Sequence, residues 1–438
     1  MPDGIASYRG ALNCDPANSA QVLDRAVLSG ARQLWVGPAM AARLGWPAAF
    51  AVPPARRADK YRFGLSHAWL GPALAAGWET STEPSGLAPW LGLTRGQDWV
   101  DLVVPGWDAD NPFAEAAGAG QLLRALALYS QALGLRYRRS PGVTGLALMR
   151  ATHAGPGGVQ LPPGDPPPPA LAGLDSDAPA QWLAERAPGR GWLHCWDLNG
   201  MYLAACSSAE LGFGHPTKAL AGSFSNRPGY WRAAIRSARP GPRACPLPFL
   251  ADGRPHWYTT PALIFMAEAG ARVKVAEVWS YPESHRWLEP WYARLRDGRA
   301  GLMGSDDPAA GLALGALKRT YTQALGRLAG RWLPVGDETF RPDWRDTITA
   351  RARANLHRHL AKAVRPPIAL YADAAVWASP HEGPQEAAAE LGLEVGPQLG
   401  KWKHAGALRA SEAAQVVKDA GSRPRALRAL LDALGRPL

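Results

Sequence analysis

Cysteine is scarce in this sequence of 438 residues, and the four cysteines form no C-x-x-C pair and have no histidines at zinc-finger spacing. Neither a disulfide framework nor a structural zinc site is therefore indicated, and we expect a reducing, cytoplasmic location. No stretch approaches about 18 uninterrupted apolar residues, and the N-terminal "MPDGIASYRGALN" lacks the apolar region of a signal peptide. We accordingly expect a protein that is neither secreted nor membrane-spanning and has no membrane partner.

Signatures of several other function classes are also missing. No G-x-G-x-x-G precedes a predicted helix, and "GHPTKAL" around Lys218 lacks the spacing of a phosphate-binding loop. No internal repeat is present, which excludes a solenoid.

Acidic residues are outnumbered, since 48 Lys plus Arg stand against 37 Asp plus Glu and give a formal net charge of +11. A positive mean potential favours a polyanionic partner such as nucleic acid. The alternative is that arginine-rich usage reflects a GC-rich genome, with no nucleic acid involved. The length and the 47% of hydrophobic residues allow two or three domains with sizeable cores.

Proline and glycine concentrate in residues 153–180, which predicts an extended linker between two parts of the chain. Before it, "RQLWVG" and "WVDLVVPG" predict strands and "AEAAGAGQLLRALALYSQALG" predicts a helix, so we expect an α/β domain. After it, strands are predicted in "GWLHCWDL", "RVKVAEVWSY" and "PPIALYADAAVWAS". Helices are predicted in "PALIFMAEAGA", "HRWLEPWYARLRDGRAGL", "AAGLALGALKRTYTQALGRLAG" and "DWRDTITARARANLHRHLAKA".

Two aspartates, Asp197 and Asp373, follow or interrupt apolar strands. An aspartate at a strand end is more often a turn residue than a metal ligand. A carboxylate inside an apolar hairpin, however, needs a cation to offset its desolvation, and this applies to Asp373. On neighbouring strands the two could hold a pair of divalent metals about 3.5 to 4 Å apart, as in nucleotidyl transfer. Between them Lys318 lies on a predicted helix, where it could meet phosphates or simply face solvent.

The order of these three segments resembles that of a family B DNA polymerase of the protein-primed type found in phages and linear plasmids. The first motif of that family, D-x-x-S-L-Y-P, is met in "DLNGMYL" by Asp197 and Tyr202, with Asn199 as in the protein-primed version. The resemblance implies that Asp197 binds two catalytic Mg²⁺ or Mn²⁺ ions. It also implies that Tyr202 stacks under the sugar of the incoming nucleotide.

The second motif, K-x-x-x-N-S-x-Y-G, is met in "KRTYTQALG" by Lys318 and Gly326, and the resemblance gives Lys318 the triphosphate and Gly326 a place near DNA. The partner helix would add phosphate contacts from Arg294, Arg296 and Arg299. The third motif, Y-x-D-T-D-S, is similar to "YADAAV". It retains Tyr371, implied to lie near the substrate, and Asp373, while Ala375 replaces the second aspartate, which the family uses as the main metal partner of the first-motif acid.

A further segment, "LGKWKHAG", resembles the strand that follows the third motif, and it implies that Lys401, Trp402 and Lys403 contact primer-template DNA. Among the 19 tryptophans, Trp257 and Trp279 are also candidates for base stacking. The pair His357 and His359 cannot share one ion from a helix, and surface or capping positions are expected for both.

The resemblance implies an RNase H-like, exonuclease-like α/β domain followed by an α+β polymerase palm with helical fingers and a short thumb. Because no D-x-E lies on a predicted strand and the D-x-D of Asp108 and Asp110 is typical of a loop, we expect the exonuclease-like domain to be inactive. The expected boundaries are 1–152 for that domain, 153–180 for the linker, 181–290 and 336–404 for the palm, 291–335 for the fingers and 405–438 for the thumb.

Two functions are compatible with these residues. One is template-directed DNA synthesis without proofreading in a phage, plasmid or mobile element, using deoxynucleoside triphosphates, a primer-template and a terminal or priming protein. Because alanine cannot ligate a metal, Ala375 keeps open an inactive, DNA-binding relative that acts in replication initiation, end protection or partner recruitment. A carboxylate of Asp337 or Glu338 is an alternative third acid.

Overall fold

The computed structural model describes residues 18–44, 68–80, 90–107, 111–153, 161, 165–174, 181–185, 190–220, 224–236, 246–330 and 337–436. Two compact units make up the chain. The N-terminal unit comprises residues 1–158 and 293–327, and the C-terminal unit comprises residues 159–292 and 328–438. Asp108 and Asp110 lie outside the described residues.

The strands are numbered in chain order. They are β1 Gln33–Trp35, β2 Glu79–Thr80, β3 Trp90–Arg95, β4 Asp98–Val103, β5 Gln181–Leu183, β6 Trp192–Leu198, β7 Leu211–Phe213, β8 Thr217–Leu220, β9 Gly229–Arg236, β10 Asp252–Thr259, β11 Arg272–Ser280, β12 Glu283–His285, β13 Ala369–Tyr371, β14 Ala374–Ser379 and β15 Trp402–Arg409.

The α-helices are numbered in the same way. They are α1 Ser19–Leu28, α2 Pro38–Arg43, α3 Gly71–Ala75, α4 Ala119–Leu133, α5 Pro141–His153, α6 Pro168–Ala172, α7 Met201–Cys206, α8 Thr260–Glu268, α9 Glu289–Met303, α10 Ala310–Arg327, α11 Pro342–Lys362, α12 Pro384–Leu391, α13 Ala410–Asp419 and α14 Arg423–Ala433. None of these described helices is long and apolar enough to cross a membrane.

The N-terminal unit contains a four-stranded sheet in the order β1-β4-β3-β2, with β1 parallel to β4 and the other pairs antiparallel. Its core joins the sheet to α1 and α3 through Leu23, Ala73, Trp78, Leu93 and Val100. The predicted α/β character of this part is confirmed.

Helix α10, which carries Lys318, also belongs to the N-terminal unit. Its buried face packs on α4 and α5, and the Tyr129 hydroxyl lies 2.6 Å from Thr320 Oγ1. A Cβ at Gly145 of α5 would lie 2.6 Å from the carbonyl oxygen of Thr320, so only glycine lets these two helices approach so closely. Residues 293–327 are therefore held by the N-terminal residues.

The C-terminal unit contains a five-stranded sheet in the order β15-β6-β14-β13-β5 and a four-stranded sheet in the order β10-β9-β11-β8. A third, two-stranded sheet joins β7 and β12. The predicted hairpin is confirmed as β13 and β14, with Leu370 paired to Ala375. Apolar side chains between the four-stranded sheet and helices α8 and α11 form a core that includes Trp231, Ile235 and Leu263.

Part of the predicted linker is helical, which the proline and glycine content did not predict. Helix α6 has five residues, Pro168–Ala172. It begins with proline, at positions where the helix needs no backbone N–H donor. Pro169 and Ala170 are buried, so packing of these small side chains holds the short helix in place.

A buried ionic network ties the start of α11 to β7. The Arg341 guanidinium donates to both carboxylate oxygens of Asp343, at 3.0 and 2.6 Å, and to the carbonyl of Gly212. The Tyr281 hydroxyl donates to Asp343 at 2.7 Å, and the guanidinium lies 4.0 Å from the ring centroid of Trp344. Arg341 is 0% and Asp343 2% exposed, so the two charges depend on each other.

We predict that Arg341→Met lowers the free energy of unfolding by about 3 to 5 kcal/mol, because Asp343 is left as a buried charge without its cation. Urea unfolding, followed by a signal from the C-terminal unit, measures the change. The control is Arg345→Met, which removes a half-exposed arginine from the same helix and is expected to cost less than about 1 kcal/mol. Equal losses in the two variants would contradict the role of the network.

Burial lowers the pKa of three partly buried histidines, His357, His359 and His404, and this corrects the expectation that His357 and His359 lie at the surface. Burial lowers the pKa of His357 to about 4, and its ring packs 5.9 Å from that of Phe265. Burial and the neighbouring His194 lower the pKa of His404. The Nε2 atom of His194 donates to the carbonyl oxygen of His381 at 2.9 Å, and its Nδ1 lies 3.1 Å from Nε2 of His404.

The unfolded chain takes up a proton at His357, His359 and His404 as the pH falls through about 6.5, whereas the folded chain does so only at lower pH. Stability from this source is therefore complete above about pH 6.5 and is lost as the pH falls toward the folded pKa. We predict a lower free energy of unfolding at about pH 5 than at about pH 7.5 in urea titrations. His357→Gln is expected to reduce this difference, and an unchanged difference would contradict the assignment.

Candidate functional site

Asp197 lies near the end of β6, which has β14 on one side and β15 on the other. The alternate residues Leu193 and Cys195 are buried in the core, so the side chain of Asp197 belongs to the same face of the sheet. The strand register places Asp197 opposite Ala374 of β14 and Lys403 of β15. The apolar part of β6 thus positions one carboxylate at the edge of a core.

Asp373 lies in the turn of the β13–β14 hairpin. The preceding residue, Ala372, has a φ of 51°, a left-handed conformation that costs an L residue about 1 to 2 kcal/mol. The Asp373 carbonyl accepts a hydrogen bond from the Leu198 amide at 2.9 Å, which fixes the turn against the end of β6. The two aspartates, far apart in the sequence, therefore lie at adjacent strand ends.

Arg436 forms ion pairs with both aspartates. One guanidinium nitrogen meets Asp197, and the other lies 2.5 Å from an oxygen of Asp373. The side chains of Arg436, Asp197 and Asp373 are 21%, 28% and 31% exposed, so all three charges are partly shielded from water. Burial lowers the pKa of Arg436. The two carboxylates thus converge on a single cation, which the chain itself supplies.

The end of α14 fixes the position of Arg436. Gly435 has a φ of 76°, its amide donates to the carbonyl of Asp432 at 3.0 Å, and the amide of Arg436 donates to that of Leu431 at 2.9 Å. This pair of bonds is the Schellman motif that ends many helices at a glycine. The motif turns the chain so that the next side chain reaches the sheet.

Helices α13 and α14 cover the face of the sheet that carries Asp197. Leu427, Leu430 and Leu431 share one core with residues of β6 and β14. A Cβ at Gly406 would overlap the carbonyl oxygen of Leu434, so only glycine admits so close an approach. Part of the segment expected to form a thumb is therefore packed on the sheet, and β15 continues to Arg409.

The donor set suits a divalent cation as well as a guanidinium, since carboxylate oxygens are the ligands that Mg²⁺ and Mn²⁺ prefer. Asp197 and Asp373 would hold the ion. Among the residues that the structure describes, no group of three or more histidine, cysteine or acidic side chains is placed to bind a metal. Asp337 accepts from the amide and hydroxyl of Thr339 in its own turn, at 2.7 and 2.5 Å.

Ala375, which replaces the second aspartate of the third motif, does not face Asp197. Ala375 pairs with Trp196, and both are buried on the other face of the sheet. Ala374 lies opposite Asp197 instead. The reason is the two-residue turn, which sets the alternation of side chains along β14. An acid at position 374 would thus be the direct cross-strand neighbour of Asp197.

Asn199 and Tyr202, the other two matched residues of the first motif, lie after the end of β6. The side-chain amide of Asn199 donates to the carbonyl of Gly396 at 2.8 Å, and its backbone bonds to Gly400 and Lys401. Asn199 therefore anchors the loop before β15. Tyr202 lies partly buried in the first turn of α7.

The residues of "LGKWKHAG" divide into three environments. Trp402 is 2% exposed and packs 5.2 Å from the ring of Trp377, so its expected contact with DNA is wrong: the indole belongs to the core. Lys401 pairs with Glu394, and this bond lowers the pKa of the Glu394 carboxyl. Lys403 is exposed next to Asp197.

The candidate residues of the second motif belong to the N-terminal unit. Lys318 and Gly326 are exposed on α10. Arg294 belongs to α9, and its guanidinium reaches the C-terminal end of α4. A Cβ at Gly134 would lie 2.7 Å from this guanidinium. Arg296 pairs with Asp297 at 2.8 Å, and Arg299 is partly buried. In the C-terminal unit, Tyr371 packs against the core beneath α13 and α14.

Arg436 was missed by sequence reasoning. The only local signal is "ALGRPL", in which a glycine ends an amphipathic helix and an arginine follows. That pattern is common and does not indicate which surface the arginine reaches.

Comparison with known proteins reveals a similarity of structure. No family model and no curated protein matches the chain. Phi29 DNA polymerase complexed with primer-template DNA is 13% identical, with a TM-score of 0.48 over 76% of this chain and 70% of that one. In its ternary complex with primer-template DNA and incoming nucleotide, the identity is 14% and the TM-score 0.45 over 66% of this chain.

The match to the ternary complex spans 56% of the phi29 chain. The resemblance expected from the motifs is confirmed as a similarity of structure to phi29 DNA polymerase.

We predict that Arg436→Ala tightens Mn²⁺ binding at least about tenfold, because two partly shielded carboxylates lose their cation and accept another. Titration of free Mn²⁺ by electron paramagnetic resonance gives the affinity. Gly406→Ala, which displaces the end of α14, is expected to act in the same direction. Arg428→Ala removes an exposed arginine from α14 and should change nothing. Affinities equal to the unaltered protein in both test variants, with their helix content retained, would contradict the shared cation site.

Proposed function

We propose that the protein is a family B-like DNA polymerase that transfers nucleotides in the replication of a phage, plasmid or mobile element. The observation that supports this proposal best is the convergence of Asp197 and Asp373 on one cation. The first and third motifs supply these two acids from the end of β6 and from the turn that precedes β14, the strand paired with β6. Such convergence is what metal-dependent nucleotidyl transfer requires and what two isolated turn aspartates would not show.

In this proposal each residue has a separate task. Asp197 and Asp373 would hold two divalent ions once Arg436 has moved away. When bound, Mg²⁺ or Mn²⁺ neutralises the triphosphate and favours attack by the primer hydroxyl. Lys318 offers an exposed ammonium to the triphosphate, and Tyr202 supports the sugar of the incoming nucleotide.

Further residues are proposed to bind the substrate and DNA. Lys403 lies exposed beside Asp197, where a cation can meet the phosphate backbone of the primer-template. Lys401 adds a second positive charge once it leaves Glu394. Asn199 supports the site through the loop that it anchors. Contacts from Arg294, Arg296, Arg299, Tyr371 and Gly326 rest on their motif positions.

The division of labour along the chain is also a proposal. Residues 181–290 and 336–404 would act as the palm, 291–335 as the fingers and 405–438 as the thumb. The N-terminal residues 1–152 would form the exonuclease-like domain without proofreading. The partners would be primer-template DNA, deoxynucleoside triphosphates and a terminal or priming protein.

A second candidate function is favoured by the same ion pairs. Arg436 already neutralises both acids, and alanines occupy positions 374 and 375, so a guanidinium can replace the metal permanently. The protein would then be an inactive, polymerase-like DNA-binding protein in replication initiation, end protection or partner recruitment. In that case Arg436 stabilises the fold in place of the metal.

Primer extension on a DNA template with Mg²⁺ or Mn²⁺ tests the two functions. We expect incorporation by the unaltered protein that Asp197→Ala or Asp373→Ala lowers at least about 100-fold, since the metal loses one of two ligands. Lys318→Ala should lower kcat more than DNA affinity. The control is Asp432→Ala, which removes an exposed carboxylate from α14 and should retain activity.

The outcomes separate the functions. Incorporation that persists in Asp197→Ala contradicts the polymerase. Failure of the unaltered protein and of Arg436→Ala to incorporate nucleotides, with DNA binding retained in Asp197→Ala, supports the inactive DNA-binding protein.

A further inference from the structure

We propose that the outer face of the four-stranded sheet β10-β9-β11-β8 is a second nucleic-acid site, which binds single-stranded DNA or RNA. This face is defined by Lys218, Arg232, Arg236, Trp257, Arg272, Lys274 and Trp279, and we call it the basic sheet face. It belongs to the C-terminal unit and is separate from the site of Asp197, so it does not depend on the proposed polymerase activity.

The strand register places these side chains on one face. Arg232 of β9 pairs with Trp257 of β10, and Arg272 of β11 pairs with Arg236. Lys218 of β8 pairs with Trp279. Because side chains opposite each other in a sheet lie on the same face, these residues form one surface across four strands.

The opposite face of the same sheet is the apolar core. Trp231, Ala233 and Ile235 alternate with the basic residues of β9 and pack with residues of α8 and α11. Helices therefore cover one face, while Arg232, Arg236, Arg272 and Lys274 are exposed on the other. This arrangement makes the sheet a rigid support for an exposed, charged surface.

The charge of the basic sheet face is strongly one-sided. Five Lys and Arg side chains accompany two acids, Glu277, which faces Arg232 in the register, and Asp252, which faces Arg236. Glu277 is already paired with Lys218 at 2.9 Å and with Arg232 at 3.9 Å. At the edge, Asp252 is neutralised by Arg254 at 2.8 Å. Net positive charge thus remains for a polyanionic ligand.

Two tryptophans decide between the possible polyanions. Trp257 and Trp279 are partly exposed, and the Lys218 ammonium lies 6.0 Å from the ring centroid of Trp279. Aromatic rings set among basic residues on a sheet can stack on unpaired bases while the cations meet the phosphates. Duplex DNA hides its bases from such rings, and an acidic peptide has no bases to stack. The combination therefore favours a single strand of DNA or RNA.

Fluorescence anisotropy with a labelled 20-nucleotide oligothymidylate and the full chain tests the proposal. Arg236→Ala with Lys274→Ala is expected to weaken binding about tenfold and to lower the slope of log affinity against log salt by about 1.4, as for two lost phosphate contacts. Trp257→Leu and Trp279→Leu, which keep an apolar side chain, are each expected to weaken binding at least about fivefold.

The control removes the same charge elsewhere. Arg25→Ala with Arg43→Ala deletes two exposed arginines from α1 and α2 of the N-terminal unit and should leave the affinity within about twofold. Unchanged oligothymidylate affinity in the face variants would overturn the proposal. A face-dependent preference for matched duplex, or for polyglutamate, over the oligonucleotide would also overturn it.

Because the probe requires no catalysis, Asp197→Ala should bind the oligonucleotide as the unaltered protein does. If Asp197→Ala loses primer extension but still binds the oligonucleotide, the polymerase site and the basic sheet face act independently. The two proposals can then fail separately. Oligonucleotide binding that disappears in Asp197→Ala would place the strand at the wrong site and contradict the proposal.

Discussion

The arrangement of the five-stranded sheet and the C-terminal helices depends on one electrostatic constraint. Pairing of β6 with β14 forces two carboxylates, Asp197 and Asp373, to adjacent strand ends that are partly shielded from water. Like charges in such a place repel and lose solvation, so a cation must accompany them. Arg436 supplies that cation when α14 packs against Gly406. Charge balance at the strand ends and packing of α14 thus support one another.

The same interaction links the fold to the two proposed functions. A guanidinium and a divalent metal compete for the same oxygens, and only one can be present at full occupancy. If Arg436 leaves, the carboxylates are available for nucleotidyl transfer; if it stays, the protein has exchanged a catalytic ion for a structural one. The polymerase and the inactive relative therefore differ in the free energy of moving one short helix end.

Much of the sheet around this site follows from local sequence patterns. The apolar run of "GWLHCWDL" predicts β6, the turn in "IALYADAAVW" predicts the hairpin, and the tyrosine spacing of the motifs identifies both acids. What the patterns could not give is the register, which depends on long-range pairing. For this reason Ala374 rather than Ala375 faces Asp197, Trp402 is a core residue, and Arg436 was missed although its glycine-ended helix is visible in the sequence.

The four-stranded sheet β10-β9-β11-β8 also depends on a register that local sequence patterns do not predict. "RVKVAEVWSY" predicts one strand, but only the pairing with β8, β9 and β10 brings Lys218, Arg236 and Trp257 to a common face. Single basic residues in a sequence with a net charge of +11 carry little information, whereas their alignment across strands does.

The most direct test is a crystal structure of the protein grown with Mn²⁺, an incoming nucleotide and primer-template DNA. We expect an ion between the carboxylates of Asp197 and Asp373, with Arg436 displaced from both and the end of α14 moved from Gly406. Bound DNA with Arg436 still bridging the two carboxylates, and no ion beside them, would contradict the proposed polymerase.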